Sequence, residues 1–341
     1  MVTVPEREAR AVALRIPLLL AAGALLVVVA ALSISVGAKD LPLADVWGYV
    51  FRPDGSDDAG IVQDQRIPRT ILGIAVGAAL GAAGALMQAL TRNPLADPGL
   101  LGVNAGAATA IVISLAAFGT SDPSVQVWFA FLGAGAAAVL VYGIGAAGGR
   151  SASPVRLAIA GMAVTFALLS VVSAITITNP RVFDQFRFWQ VGSLAGRGTS
   201  VIEQLGPFIV VGLALSLLLA RPLNALALGD DVGRGLGVSI GRTRLLGALG
   251  VTLLCGAATA AAGPIAFVGL TVPHVARALV GPDQRWVVPV SMLFAAILLV
   301  GADVIGRVAA PTGELEVGIV TAIIGAPVFI AIVRRRRVAQ L

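Results

Sequence analysis

Residues 66–106 read RIPRTILGIAVGAALGAAGALMQALTRNPLADPGLLGVNAG, and this stretch decides the fold of the chain. Thr70 to Leu90 gives 21 residues without a charge, enough for one helix to cross a hydrocarbon core about 30 Å thick. Four glycines recur along it at steps of four and three residues: Gly73, Gly77, Gly81 and Gly84. Residues at that spacing share one face of a helix, and small residues on a shared face let helices approach closely in lipid. The stretch therefore predicts a membrane-spanning helix with one tightly packed face.

The same stretch also predicts where this helix stops. Pro94 disfavours helical geometry at Asn93 and has no N–H of its own, so the helix should end near Arg92. Pro98 and Gly99 keep the following residues irregular before the next small-residue segment begins. We therefore expect a rigid turn between two antiparallel spans.

Composition indicates an all-α integral membrane protein. The 341 residues are 57% hydrophobic and only 12% charged, whereas soluble domains carry about 25% charged residues. One cysteine, Cys255, lies in an apolar run, so an intrachain disulfide and a CxxC redox or metal motif are both excluded. We treat residues 1–341 as a single transmembrane domain.

Apolar segments predict ten transmembrane helices. The predicted spans are Leu14–Val36, Thr70–Leu90, Val103–Phe118, Val127–Ala147, Val155–Ile177, Gln204–Ala220, Leu245–Ala262, Pro264–Val280, Val287–Ile305 and Val317–Val333. A cleaved signal peptide is the rival interpretation of the first span, but 23 residues is long for one. Residues 39–65 and 178–203 form polar connections, and the first of them contains an amphipathic surface helix around Leu43 to Val50.

The distribution of charge predicts the orientation in the membrane. With ten spans both termini lie on one side, and that side holds 16 of the 24 lysines and arginines but only 6 of the 18 acidic residues. The positive-inside rule then places both termini in the cytoplasm. The net charge of +6 follows this asymmetry, so it does not indicate a nucleic-acid partner. A weak echo of Arg69 and Pro94 in Arg244 and Pro273 suggests an inverted repeat of spans two to five and seven to ten.

The sequence carries little chemistry. The predicted spans have no ionisable group at mid-depth, where each would be costly and kept for function. The single histidine, His274, has no acidic neighbour with which to form a zinc site or a catalytic relay. A Walker A sequence is absent. We therefore expect no catalytic residue, no metal site and no cofactor, and any ATP hydrolysis must come from another subunit.

The motifs RxPR and GxxLGxxGxxMQxxxxNPLADPxLLG resemble the permease subunits of the ATP-driven (ABC) importers of iron-siderophores and cobalamin. The spelling TRNPLADPGLLGVNAG, with FDQFRFWQVGSL further on, is most similar to the ferric-enterobactin permeases of that family. The resemblance implies the fold of the vitamin-B12-importer permeases. It also implies a second permease that is homologous or identical, two ATP-binding subunits and an extracytoplasmic binding protein.

Residues 221–244 form the predicted coupling loop on the cytoplasmic side. Apolar residues in a loop outside the bilayer imply a partner surface, although packing against the permease itself remains the alternative. The segment resembles the coupling helices that contact the ATPase in this family. The residues concerned are Leu226, Leu228, Gly229, Asp230, Asp231, Leu236 and Gly237. We expect Asp230 and Asp231 to cap a short helix, which Gly233 and Gly235 would weaken.

Three further sets of residues are candidates for the transport path. The resemblance implies that Asn93, Pro94 and Leu95 belong to the inner gate. It also implies that Arg66, Arg69 and Arg307 bind glutamates of the binding protein; lipid contacts and an ion pair between Asp303 and Arg307 are the alternatives. Ser170, Ser173 and Thr176 lie at helical steps along span five and suit a pathway wall, unless they bond to their own helix backbone.

The predicted function is therefore import of a ferric siderophore of the catecholate (enterobactin) type. Other ferric siderophores, cobalamin and haem stay open as cargo. A secondary transporter is the alternative of a different class, and it would need a coupling-ion site at mid-membrane.

Overall fold

The computed structural model describes residues 4–120, 122–147, 154–309 and 313–334, and helices dominate these ranges. The helices are α1 (Val4–Ser35), α2 (Leu43–Phe51), α3 (Asp57–Gly60), α4 (Ile67–Thr91), α5 (Val103–Phe118), α6 (Pro123–Ala146), α7 (Pro154–Thr178), α8 (Pro180–Val191), α9 (Thr199–Leu218), α10 (Ala220–Ala227), α11 (Asp230–Gly235), α12 (Ile240–Ala262), α13 (Val268–Val280), α14 (Gln284–Ala309) and α15 (Val317–Arg334). A π-helical turn, Ile61–Arg66, joins α3 to α4, and a 3₁₀ turn, Pro98–Leu101, precedes α5.

Helix α4 lies at the centre of the bundle and packs against α9, α12, α13 and α14. Its predicted small-residue face is confirmed, since Gly73, Gly77, Gly81 and Gly84 are all buried. A β-carbon at Gly81 would lie 2.2 Å from the carbonyl oxygen of Ser291 on α14. One at Gly84 would lie 1.9 Å from that of Gly269 on α13. The backbones therefore touch at distances that only glycine permits.

The ten predicted spans correspond to ten helices. Within the described ranges, seven helices are long and apolar enough to cross a membrane, and α5, α13 and α15 are shorter apolar helices. Span eight is corrected at its start, because α13 begins at Val268 rather than Pro264. Gly263 and Phe267 have φ of 75° and 67°, a left-handed geometry that holds the intervening residues out of a helix.

The two polar connections contain helices of their own. The predicted surface helix is confirmed as α2. The connection 178–203, predicted as a loop, contains α8, and this prediction was incomplete. Asn179 accepts a hydrogen bond from the N–H of Val182, and Pro180 occupies the first turn. Val182, Phe186 and Trp189 form the buried face at helical spacing, a signal that the sequence already carried.

Two opposite faces of the bundle carry the candidate sites. We call the face with the end of α4 and with α10 and α11 the Arg92 face. The face with the start of α4 and the end of α14 is the Arg69 face. Helix α1 runs from the first to the second, because Arg15 donates to the carbonyl oxygen of Val280 at the end of α13 (3.1 Å), while Ser33 contacts Thr70 near the start of α4 (2.7 Å).

Helix packing follows the pairing expected of an inverted repeat. Helix α4 packs against α13 and α14, and α12 packs in the same way against α5 and α6. In the predicted repeat, α4 corresponds to α12, α5 to α13 and α6 to α14. The contacts of α4 with α13 and α14 therefore correspond to those of α12 with α5 and α6. The two halves also meet directly, through α4 and α12.

Candidate functional site

The predicted coupling loop forms α10 and α11 on the Arg92 face. Its apolar residues divide between core and surface. Leu226 is fully buried against the bundle. Leu228, Val232 and Leu236 are 64%, 51% and 62% exposed. Packing against the permease therefore accounts for Leu226, while the predicted partner surface stays a prediction for the three exposed apolar side chains.

Glycines shape the coupling segment. Gly229 and Gly237 flank α11 with φ of 110° and 81°, values that glycine adopts without strain. Gly233 is buried inside α11, where a β-carbon would lie 2.9 Å from Cδ1 of Ile240. Gly235 faces open space. Close packing of α11 against α12 thus explains why Gly233 has no side chain, although glycine weakens the helix.

Asp230 joins three elements of the Arg92 face. The expectation that Asp230 and Asp231 cap α11 is corrected, because neither side chain makes a capping bond within the described segment. Asp230 instead forms ion pairs with Arg92, just after α4, and with Arg244 of α12, whose Nη2 lies 3.0 Å from Oδ2. Asp231 points outward and pairs with Arg234 one turn away, at 2.7 Å.

The predicted gate residues form a compact turn next to this ion cluster. The Oδ1 atom of Asn93 accepts from the N–H of Leu95 (3.0 Å), and the N–H of Ala96 donates to the carbonyl oxygen of Asn93 (3.1 Å). Pro94 lies inside the turn, and the side chain of Leu95 is 40% exposed. The sequence correctly predicted a fixed turn at this point.

The predicted pathway residues lie on the surface of α7. Ser170 and Ser173 are exposed, and Thr176 is partly buried. Ser170 donates to the carbonyl oxygen of Phe166 and Thr176 to that of Val172, both at 2.8 Å. These bonds to the helix backbone are the alternative that the sequence left open. They do not exclude a role in the path, because the side chains stay on an open face.

On the Arg69 face, Arg66 and Arg307 cap the end of α1. Both residues are buried. Their guanidinium groups donate at 2.6 to 3.0 Å to carbonyl oxygens that α1 leaves without helical partners: those of Ser33, Ile34, Ser35 and Val36. The hydrogen-bonding groups of these two arginines thus bind the chain itself, and their predicted contact with the binding protein stays a prediction.

Arg69 and Asp303 form the centre of a buried ionic network. Arg69 binds the Asp303 carboxylate through Nε (3.0 Å) and Nη2 (2.8 Å), and its Nη1 lies 2.7 Å from Oε2 of Glu314. Asp303 also pairs with Arg307 four residues later, which confirms the alternative of a helical ion pair. Glu314 is the most exposed member, so the network opens to solvent there.

A cleft of about 620 Å³ opens beside this network. Its basic lining residues outnumber the acidic ones, Asp64 and Glu314. The basic residues are Lys39, Arg66, Arg69, Arg197 and Arg307. Sequence reasoning missed Arg197, since a lone arginine in a polar loop carries no pattern. Burial lowers the pKa of Arg197, partly offset by Glu316, and a guanidinium remains charged at neutral pH.

Sequence reasoning also missed a polar junction between α4 and α13. Gln88 donates to the carbonyl oxygen of Leu270 (2.9 Å) and accepts from Nη1 of Arg277 (3.2 Å). Arg277 is buried, and its Nε and Nη2 atoms have no partner within the described ranges. Among those same residues, no group of three or more His, Cys, Asp or Glu side chains could hold a metal ion.

Residues 25–335 match the sequence profile of the FecCD transport family. The chain belongs to the FecCD transport family. It is 51% identical to the ferric enterobactin transport system permease protein FepD of Escherichia coli K12, over 92% of this chain and 93% of that protein. It is 44% identical to the Fe(3+)-citrate import system permease protein YfmD of Bacillus subtilis 168, over 90% and 91% of the two chains.

A solved structure has the same fold as this FecCD chain. It is an inward-facing metal-chelate type ABC transporter, with a TM-score of 0.81, 27% identity and coverage of 94% of this chain and 99% of that chain. Together with the apolar helices, these comparisons identify a multi-pass membrane protein whose relatives are transport permeases.

Proposed function

We propose that the chain is the permease subunit of an ABC importer that moves a ferric siderophore of the catecholate (enterobactin) type across the cytoplasmic membrane. The observation that carries this proposal is the 51% identity to a ferric enterobactin permease along nearly the full length of both chains. The whole of residues 1–341 acts as one transmembrane domain, and ATP is hydrolysed by separate subunits.

The Arg92 face is the cytoplasmic face in this proposal, and both termini lie there. The excess of lysine and arginine on the side of the termini supports this orientation. The binding protein would then approach the Arg69 face from outside the membrane.

The ATP-binding subunits dock on α10 and α11. Leu228, Val232 and Leu236 support this assignment, because three large apolar side chains on a face outside the bilayer are unfavourable in water unless a partner covers them. Gly229 and Gly237 fix the chain reversals that display them. Each of two permeases, homologous or identical, would present one such surface to one ATP-binding subunit.

Asn93, Pro94 and Leu95 serve as the cytoplasmic gate in this proposal, and α7 lines the path through Ser170, Ser173 and Thr176. The hydrogen-bonded turn at Asn93 supports the gate, since a fixed turn holds Leu95 at a defined place. Polar uncharged side chains on an open face of α7 suit a bulky cargo that must be released. The second permease would complete the path opposite α7.

The binding protein docks over the cleft of the Arg69 face. Arg69 is the central contact, while Arg66 and Arg307 hold the cleft floor and add positive potential. Five basic residues against two acidic ones support an acidic partner surface. Arginine suits this role because its planar fork binds a carboxylate through two hydrogen bonds.

The test is uptake of radioactive ferric enterobactin into proteoliposomes. The vesicles hold the permease alone, or with the ATP-binding subunits that purify with it, and the binding protein is supplied outside. We expect uptake only with ATP and the complete assembly. Ferric citrate, cyanocobalamin and haemin are run in parallel, because cobalamin and haem remain the alternative cargoes.

A secondary transporter would behave differently in the same vesicles. Uptake would need no ATP-binding subunit and would collapse when an ionophore removed the ion gradients. ATP-dependent uptake that survives the ionophore supports the ABC importer. Gradient-driven uptake by the permease alone would overturn the proposal.

A further inference from the structure

Arg92 has an unusual backbone. It follows the last turn of α4 in the left-handed region, with φ of 51° and ψ of 31°, and within the described ranges only Phe267 is another non-glycine residue with positive φ. The N–H of Asn93 then bonds back to the carbonyl oxygen of Gln88 (3.2 Å), a pattern that ends helices and usually has glycine at this position. An arginine here needs another contact to hold it, because its β-carbon disfavours this geometry.

Asp230 supplies that contact. Its carboxylate binds Arg92 and also accepts from Nη2 of Arg244 at 3.0 and 3.1 Å, so one carboxylate joins the ends of three elements: α4, α11 and α12. The Nε atoms of both arginines are buried and have no hydrogen-bond partner among the described residues. Arg244 is 13% exposed, while Asp230 and Arg92 are 30% and 31% exposed, so the cluster is partly shielded from water on the side of α12.

The coupling helices have a second, separate anchor. Asn224 of α10 donates to the Asp283 carboxylate (2.6 Å) and accepts from the N–H of Gln284 (2.8 Å) at the start of α14. Burial would raise the pKa of Asp283, but the hydrogen bonds from Arg285 and Asn224 outweigh it and lower the pKa to about 2. This anchor is therefore charged at every physiological pH, but it leads to α14 and not to the gate turn.

We propose that Asp230 is a positioning residue that ties the ATPase-docking surface to the gate turn through Arg92. Leu228 and Val232, which border Asp230 in sequence, belong to the docking surface, while Asn93 and Leu95 directly follow Arg92. A displacement of α11 by the ATP-binding subunits therefore pulls on the residue where the gate turn begins. Arg244 passes the same displacement to α12. The inference rests on the proposed function for the identity of the partner, but the contact itself can be tested without one.

The first test uses the permease alone. Cys255 is the only cysteine and is buried, so a Cys255→Ala, Leu95→Cys chain carries one thiol, located at the gate turn. Its rate of labelling by a membrane-impermeant maleimide reports how firmly the turn is held. We expect Asp230→Asn to raise this rate about threefold or more, because loss of the ion pairs frees the turn to open locally.

Two further variants keep this test decisive. Arg92→Gly removes the charge while placing a residue suited to the left-handed geometry, so it should also raise the rate without disturbing the fold. Asp231→Asn is the matched control for labelling, since Asp231 is 99% exposed and bonds only Arg234 among the described residues. Equal rates for wild type, Asp230→Asn and Arg92→Gly would overturn the proposal.

The second test uses the assembled importer. We expect Asp230→Asn and Arg92→Gly to keep ATP hydrolysis but to lower cargo uptake per ATP by about tenfold. Asp184→Asn, on an exposed ion pair of α8, serves as the uptake control. Normal coupling in both variants would overturn the proposal, and so would a parallel loss of hydrolysis and uptake. If the wild-type assembly failed to transport while the labelling difference persisted, the proposed function would fail but the contact would stand.

Discussion

At the scale of single residues, the arginines of the Arg69 face have different tasks. Arg66 and Arg307 bind the last carbonyl groups of α1, which would otherwise remain unpaired near the membrane. Arg69 joins α4 to Asp303 and reaches solvent beside Glu314. A motif-based comparison treats the three alike, because burial of a guanidinium group is not visible in a sequence.

Replacing Arg307 should lower stability. In Arg307→Gln, Asp303 would keep Arg69 but lose its second arginine partner, and α1 would lose part of its cap. We therefore expect the free energy of unfolding to fall by about 1–3 kcal/mol. The measurement is the melting temperature of the purified chain in detergent. Lys39→Gln is the control, since its ion pair with Asp58 is exposed and contributes little. A melting temperature equal to that of wild type would contradict the assigned role.

Changes at Arg69 and Glu314 should shift binding-protein affinity in opposite directions. Glu314→Gln frees one edge of Arg69 for the partner and should tighten docking by up to about fivefold, the range of an exposed ion pair. Arg69→Glu should weaken docking and remove its dependence on salt. The affinity is measured by titrating labelled binding protein against wild type and both variants at two salt concentrations. Unchanged affinity in both would argue against docking at this cleft.

At the scale of elements, α10 and α11 are short and are fixed at Asn224 and Asp230. Positive-φ glycines flank α11, at Gly229 and Gly237. The sequence correctly predicted the apolar character of this segment, but not which side chains turn inward. Leu226 and Leu228 differ by two residues, and only the tertiary packing decides that one is buried and the other exposed. For α8 the signal was present in the Asn-Pro start and the spacing of Val182, Phe186 and Trp189.

Charges on the docking surface should prevent assembly with the ATPase. Leu228→Asp or Leu236→Asp would bury an unpaired carboxylate under the partner, so the ATP-binding subunits should fail to co-purify while the permease still inserts. Phe51→Asp on α2 is the matched control, because Phe51 is also a large exposed apolar residue but lies on the Arg69 face. Retained co-purification in both leucine variants would show that the docking surface lies elsewhere.

Shortening the gate residue should make the importer leak. Leu95→Ala removes the apolar side chain that the turn at Asn93 holds in place, so we expect passive efflux of cargo from loaded vesicles to rise several-fold without ATP. Leu43→Ala, at an exposed position on the Arg69 face, provides the comparison. Efflux indistinguishable from wild type would remove Leu95 from the gate.

At the scale of the whole molecule, eight of the ten apolar helices of the described ranges form two halves of four helices, which meet at α4 and α12. The number of spans was predictable because hydropathy over about 20 residues is a strong signal. The repeat was only weakly visible in the sequence, because the two halves share few identical residues. It is clearer in the structure, where the two halves pack their helices in the same way. The start of α13 was not predictable, because Phe267 adopts a left-handed geometry that its residue type disfavours.

The proposed orientation has a direct test. A fluorescent protein fused after residue 341 should fold and emit light, since both termini are expected in the cytoplasm. Alkaline phosphatase inserted after Gly55, in an exposed turn on the Arg69 face, should be active because it would lie outside. The reverse pair of results would invert the topology and move the proposed ATPase contact to the wrong side.

The bond between Arg69 and Asp303 also has a consequence for synthesis, because it joins residues 234 positions apart. Helix α4 leaves the ribosome long before α14, so Arg69 must wait near the lipid surface without its acid, and α1 must wait without the cap from Arg307. The Arg69 face is therefore completed only when one of the last helices enters the bilayer. A nascent chain stalled before Asp303 would hold an unneutralised charge and an uncapped helix end, a state that membrane quality-control proteases can recognise.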